Sequence, residues 1–205
     1  MAIDTALEAE LLPLLRTRHE ASFNRLVAMY CGPMLGLAKS MVGEAIADEV
    51  VQEAWVSVYR ALPRFEGRSS LKTWILRITA NEARTRLRKE SRTLAFEALS
   101  PGGAGVLTGR FAEDGHWQIP PSGWHDDSPD ALLTSSEMRN CIEATMARLP
   151  ELQQAVFVLK DLEHYSFEEI CNILDISASN ARVLLHRARI SLFGKIEHFQ
   201  DSGEC

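Results

Sequence analysis

Residues 64–74, RFEGRSSLKTW, bring together two arginines, a lysine, two serines, a glycine and two aromatic rings. Such a set suits single-stranded nucleic acid. Arg64, Arg68, Lys72 and, one helical turn beyond Thr73, Arg77 can neutralise phosphates, while Gly67, Ser69 and Ser70 let a loop approach a nucleotide closely. Phe65 could stack on a base, whereas Trp74 shares an apolar stripe with Leu71 and Ile78 and reads as core. A second group lies near the other end of the chain. Arg182, His186, Arg187 and Arg189 fall in ASNARVLLHRARISLF, where Ala181, Leu184, Leu185 and Ala188 form an inward stripe at helical spacing. Ser179, Asn180, Arg182, Val183, His186 and Arg187 then face outward, where side chains near a helix start could reach base edges and arginines could reach guanine or phosphate. A helical hairpin with a merely solvated basic face is the alternative for this second group.

The charge balance supports two separate polyanion contacts. The chain of 205 residues has a net charge of −6, which by itself disfavours nucleic acid. Divided along the sequence, residues 60–92 hold 10 basic and 3 acidic side chains, and residues 180–195 hold 4 and 0. Everything else is acidic: residues 1–59 carry 4 basic and 8 acidic side chains, and residues 93–179 carry 4 and 14. Two basic islands in an acidic chain leave acidic surface free for another partner.

The elements that must position these groups are helices. Phe23, Leu26, Val27, Tyr30, Leu35, Ala38 and Met41 repeat at three and four and predict a helix from Glu20 to Met41, which Cys31-Gly32-Pro33 should bend or restart. A second helix is expected from about Ala45 to Leu62, with Val50, Val51, Ala54, Trp55 and Val58 inward and Asp48, Glu49, Gln52 and Glu53 mostly outward. A third runs from about Leu71 to Lys89, with Leu71, Trp74, Ile75, Ile78 and Ala83 on its apolar side. Residues 93–133, with SPGGAG, IPPSGW and DDSPD, keep no period and read as a linker. Trp117 and Trp124 suggest that part of it packs somewhere definite.

Beyond the linker, Thr134 with Glu137 predicts a capping box. It opens a helix whose inward face is Met138, Cys141 or Ile142, Thr145 or Met146, and Leu149, and which Pro150 ends. A helix from about Glu151 to Leu162 follows. Ser166 and Glu169 form a second box before FEEICNILD, the turn IS, and the basic helix. Two short helices around a tight turn have the pattern of a helix-turn-helix, with Cys171 as the small residue at which the two helices approach. The expected fold is all-α: two small helical domains, residues 1–92 and 134–205, joined by a long flexible linker.

Taken together, DEVVQEAW…YRAL..F.G.SSLKTWILRITANEAR and LPELQQAVFVLKDLEHYSFEEICNILDISASNARVLLHRAR resemble regions 2 and 4 of the extracytoplasmic-function sigma factors of bacterial RNA polymerase, the minimal two-domain group of the sigma-70 family. The resemblance covers roughly residues 20–92 and 134–195. It implies a promoter-specificity subunit that binds core polymerase and directs initiation. Asp48, Glu49, Gln52 and Glu53 would dock on the coiled coil of the largest subunit, and region 4 on the flap of the second subunit. Arg64, Phe65, Gly67, Arg68, Ser69, Lys72, Arg77, Asn81 and Arg84 would recognise the minus-ten element, Asn81 helping to read a flipped base. Ser179, Asn180, Arg182, Val183, His186 and Arg187 would recognise the minus-thirty-five element. The start Ser179-Asn180-Ala181 departs from the Gly-Thr-Val type common in relatives, so no base preference carries over. Linker acids Glu113, Asp114, Asp126, Asp127 and Asp130 would follow a basic polymerase channel. An anti-sigma factor, often membrane-bound, is the implied regulator in a stress or envelope response.

Other classes find less support. There is no P-loop, HExxH or GxSxG, and no enzymatic activity, cofactor or small-molecule substrate is expected. Cys31, Cys141, Cys171 and Cys205 lack the spacing of a disulfide framework or zinc knuckle and read as buried or idle thiols, and no metal site is expected at them or at His116 and His125. No apolar run approaches the ~18 residues of a bilayer span and no signal pattern opens the chain, so a cytoplasmic protein is expected. The competing reading is a stand-alone helix-turn-helix regulator, which leaves the 60–92 island and the acidic helix without a use.

Overall fold

Three long helices follow one another, the first two joined by one residue and the last two by the nine of residues 62–70. In the computed structural model, which describes residues 10–94, 136–202 and 204–205, a short helix α1 over 10–16 precedes α2 (Glu20–Val42), α3 (Glu44–Ala61), a 3-10 turn (Leu62–Arg64) and α4 (Leu71–Leu94). After residue 135 come α5 (Ser136–Ala147), α6 (Glu151–Phe157), a π-helical stretch (Val158–Leu162), α7 (Phe167–Leu174) and α8 (Ala178–Ser202). There is no strand among the described residues. The linker reading of 93–133 and the Thr134 capping position lie outside the described residues, save that α4 runs on to Leu94.

The helices form where periodicity and caps coincide. His19 caps α2, its Nδ1 accepting from the Ser22 backbone N–H at 3.3 Å. Leu26, Tyr30, Met34, Leu37, Ala38 and Met41 then make a buried stripe along α2. Gly43 both ends α2 and starts α3, with φ 79° and ψ 172°, a backbone region open essentially to glycine alone. Ala47, Val50, Val51, Ala54 and Val58 are buried on α3. Ser70 caps α4: its Oγ accepts from the Thr73 backbone N–H at 3.1 Å and donates to Thr73 Oγ1 at 2.8 Å. A cap of this kind is worth about 1 kcal/mol. Serine 70 is therefore a structural element of the basic loop, beyond the small size for which its type stands out.

Pro33 sits inside α2, and the helix runs continuously through it. The expected bend or restart at Cys31–Pro33 does not occur as a break. Tyr30 and Met34 on either side are buried, 3% and 0% exposed, so packing on both flanks outweighs the missing donor.

By their contacts the elements group into two units. One comprises the described residues up to 94 together with Ser166–Ile176, so that α2, α3 and α4 pack mutually and α7 packs on α4. The other holds α5, α6 and α8, with α5 and α6 both against α8. In this second unit Leu149, Ala188 and Leu192 form a buried cluster flanked by Ile142, Met146 and Phe157. The alternatives on α5 resolve to Met138, Cys141, Thr145 and Leu149 as the most buried positions. The helix expected over 151–162 tightens into α6 and then widens to the π stretch. There Arg189 of α8 grips Asp161 through two bonds, Nε at 2.9 Å and Nη2 at 2.6 Å. That two-pronged contact makes Arg189 a structural residue, although its type and place in the basic helix suggest DNA.

The cysteines correct the reading of idle thiols. Cys141 and Cys205 are joined by a disulfide with Cα atoms 5.4 Å apart, across 64 residues of sequence. Cys31 is exposed and Cys171 half-buried, both as free thiols. Spacing along the chain cannot reveal a pair that only folding brings together.

Candidate nucleic-acid interface

The acidic positions of α3 lie on one exposed strip. Ala47, Val50, Val51 and Ala54 turn inward, so Asp48, Glu49, Gln52 and Glu53 at the intervening positions are all exposed. Arg86 of α4 donates to Glu49 Oε1 at 2.8 Å and so neutralises one end of the strip. Val56 and Tyr59 extend the same helix with exposed apolar surface, 48% and 39% open, and the Arg18 guanidinium lies 5.1 Å from the Tyr59 ring centre.

The basic loop wraps around a cavity. Arg64, Phe65, Glu66, Arg68, Ser69, Thr73, Trp74, Arg77 and Asn172 line about 420 Å³ of space in the first unit. Gly67 takes φ 74° at the apex, a left-handed conformation that side chains disfavour. Phe65 is only 5% exposed and packs against Trp74 with ring centres 4.9 Å apart, so it builds the cavity wall and offers little open face for stacking. Its carbonyl accepts from Arg16 Nη2 at 2.8 Å, which ties the loop to the end of α1. Arg64 and Arg68 are exposed, and Arg68 pairs with Glu66 at 2.6 Å.

Along α4 Arg77, Asn81 and Arg84 share the side of the cavity-lining Thr73, whereas Lys72 points elsewhere round the helix and does not line the cavity. Lys72 is half-buried, Arg77 and Asn81 are exposed, and Arg84 is partly buried. Asn81 Oδ1 accepts from Arg84 Nη1 at 3.2 Å, which fixes the amide. Arg77 meets Asp175 at 3.4 Å, and Arg84 Nη2 donates to the Leu174 carbonyl. Burial holds the Arg84 guanidinium below its ordinary value, Asp175 opposing and Arg88 and Arg77 adding to the shift. Arg16, Thr73 and Asn172 escape sequence reading. Arg16 and Asn172 reach the loop from distant segments, and Thr73 is 4% exposed and held by the Ser70 cap.

The second basic group is a plain helix face. Ser177 caps α8, its Oγ accepting from the Asn180 backbone N–H at 3.2 Å. Ala181, Leu185 and Ala188 are buried, whereas Ser179, Asn180, Arg182, Val183 and Arg187 are exposed and His186 is half-buried. Leu184, expected inward, is half-buried. Before α8, the Ser166 box is complete: Ser166 Oγ accepts from the Glu169 backbone N–H, and Glu169 Oε2 accepts from the Ser166 backbone N–H at 2.9 Å. The backbone turns at Asp175, with φ 50° and ψ 50°. No His, Cys, Asp or Glu cluster fit for a metal occurs among the described residues, and none of their helices is long and apolar enough to cross a membrane.

Two all-helical units, one with a cavity in a basic loop and one with an exposed basic helix face, match the domains of bacterial transcription initiation factors. The model of sigma-70 region 2 matches residues 26–93, and that of sigma-70 region 4 matches residues 139–192. The ECF RNA polymerase sigma-E factor of Haemophilus influenzae is 30% identical over 177 residues, 86% of this chain and 88% of that protein. Its namesake in Escherichia coli K12 is 29% identical over 184 residues, 87% and 88% of the two chains. The chain belongs to the ECF sigma factors of RNA polymerase. Two solved structures share its fold: CnrH in complex with the cytosolic domain of CnrY, at TM-score 0.60 and 19% identity over 94% of this chain and 98% of that one; and the sigma factor RpoE in complex with the anti-sigma factor NepR from Bartonella quintana, at TM-score 0.60 and 17% identity over 85% and 96%.

Proposed function

We propose that the three surfaces divide the work of initiation among themselves. Asp48, Glu49, Gln52 and Glu53 dock on core polymerase. The Arg64–Trp74 loop and α4 take the opened minus-ten strand, and the exposed face of α8 from Ser179 to Arg187 reads the minus-thirty-five duplex. The carrying observation is the cavity of about 420 Å³ bounded by Arg64, Arg68 and Arg77. A concave site rimmed by guanidinium groups suits an extruded base whose flanking phosphates need neutralising. Unstacking costs a few kcal/mol per step, and charge-assisted contacts to phosphate offset it. Arg77 and Arg84 exchange Asp175 and the Leu174 carbonyl for phosphate when the strand arrives.

The reading extends to control. Both structural neighbours were solved with a second protein bound, in one case a sigma factor with an anti-sigma factor, and the same kind of regulation is proposed for this chain in the cytoplasm. The test is reconstitution with sigma-free core polymerase on a genomic promoter library. Discrete start sites sharing two spaced motifs support the proposal. With Asn81→Ala, promoter opening falls while core binding stays; with Gln52→Ala and Glu53→Ala together, core binding weakens and the fold is kept. Loss of folding in both variants would overturn these residue assignments.

A further inference from the structure

The geometry points to Cys141 and Cys205 as a reversible oxidation site, closed to a disulfide by a peroxide or a low-molecular-weight disulfide and reopened by cellular thiols. The inference rests on the chain working as a sigma factor beside polymerase in a thiol-buffered compartment, where persistent disulfides are rare and paired cysteines usually act as redox devices. The two Cα atoms lie 5.4 Å apart, within the span a disulfide bridges without backbone movement. Access is asymmetric. Cys205 is exposed and Cys141 is 3% exposed on the inward face of α5. Cys31 and Cys171 are unbonded and provide internal controls.

The asymmetry orders the chemistry. The exposed Cys205 thiolate attacks peroxide, the O–O bond breaks, and one oxygen stays on sulfur as a sulfenic acid while hydroxide leaves. Cys141 sulfur then attacks that sulfur, the S–O bond breaks, and a second hydroxide departs. The two thiol protons complete two waters. Two cysteine sulfurs are each oxidised by one electron and one peroxide is reduced by two. With oxidised glutathione the balance is two thiols out for two thiols in.

Closing the pair ties the end of the chain to α5 across 64 residues that include α6 and the α8 reading helix. Such a tie removes freedom from the unfolded chain and so stabilises the unit. Opening it releases the segment after Ser202 and leaves the α5–α8 core to hold alone. Oxidation therefore sets the stability of the promoter-reading unit without touching the exposed Ser179–Arg187 face.

The experiment uses the full chain, fully reduced and then divided between buffer, hydrogen peroxide and oxidised glutathione. Free thiols are counted by alkylation and mass spectrometry. The expected result is four labelled cysteines in buffer and two after oxidant, the labels remaining on Cys31 and Cys171 and the Cys141 and Cys205 peptides linked. Reduced glutathione restores all four, and the melting midpoint rises on oxidation in the wild type and stays put in Cys205→Ser. Four labels after oxidant, linkage through Cys31 or Cys171, dimers on a non-reducing gel, or a bond that the glutathione pool cannot reopen would each overturn the proposal. A parallel transcription assay with core separates the two readings: a working thiol cycle in a protein that directs no initiation counts against the sigma assignments and leaves the redox chemistry standing.

Discussion

The two basic islands have opposite geometries. The loop and α4 present a concave site assembled from several segments: Arg16 fixes the Phe65 carbonyl, Gly67 bends the apex, Ser70 caps the following helix, and Asn172 closes one side. The α8 face is convex and comes from one helix, Ser179 to Arg187, with Ala181, Leu185 and Ala188 buried behind it and α5 and α6 packed against that helix. A single strand with an extruded base needs an enclosing site, whereas duplex DNA already offers a groove that admits a helix. The concave site should therefore be sensitive to residues behind its surface, and the convex one to residues on it.

Phe65→Ala is the strongest way to break that contrast. Removing a buried aromatic costs about 3–5 kcal/mol, and with the wall facing Trp74 gone the cavity loses its shape. Chemical denaturation should show the first unit destabilised, and permanganate footprinting should show promoter opening lost. Next in size, Arg182→Ala removes an exposed cation, with an expected loss of about 1–3 kcal/mol in binding to promoters that depend on the upstream element. The melting midpoint should not move; a drop would mean that the convex face is structural after all.

Gly67→Ala sharpens the comparison at lower cost. No atom lies within 4 Å of the added Cβ, so only the positive φ resists it, at about 1–2 kcal/mol. Opening should fall by roughly tenfold while core binding, read by native gel, is unchanged. The smallest effect belongs to Lys39 and Glu44, an exposed pair 2.7 Å apart. The hydrogen bond between them, and then their charges, raise the lysine and lower the glutamate. Since the folded carboxyl is lowered, its contribution is present above its ordinary range near 4.5 and is lost as pH falls through the lowered value; the raised lysine holds its share until pH climbs past 10.5. Glu44→Gln should lower the midpoint slightly at neutral pH and match the wild type in strong acid.

Much of this arrangement is legible in residue order, because helical period and capping are local. The bounds of α2 and α3 fall within a residue of those that the periodicity predicts, and the Ser166–Glu169 box appears as its spacing implies. The exposed strip Asp48–Glu53 and the outward face of α8 follow from the same period. Illegible features all depend on distant partners or on packing against local rules. Phe65 looks like a stacking ring until Trp74 covers it, the Arg189–Asp161 pair has no signature in residue order, and Pro33 looks like a break until both flanks are buried. The Cys141–Cys205 pair belongs to the same class, since no spacing rule joins positions 64 residues apart.

Gly43 has a mechanical consequence. It is the single residue between α2 and α3, so only its two soft backbone torsions separate the helices, and its conformation admits no side chain without strain. A joint that short has no slack. A change in the angle of α3 is therefore expected to be shared with α2, and through the packing of both on α4 with the helix that carries Asn81.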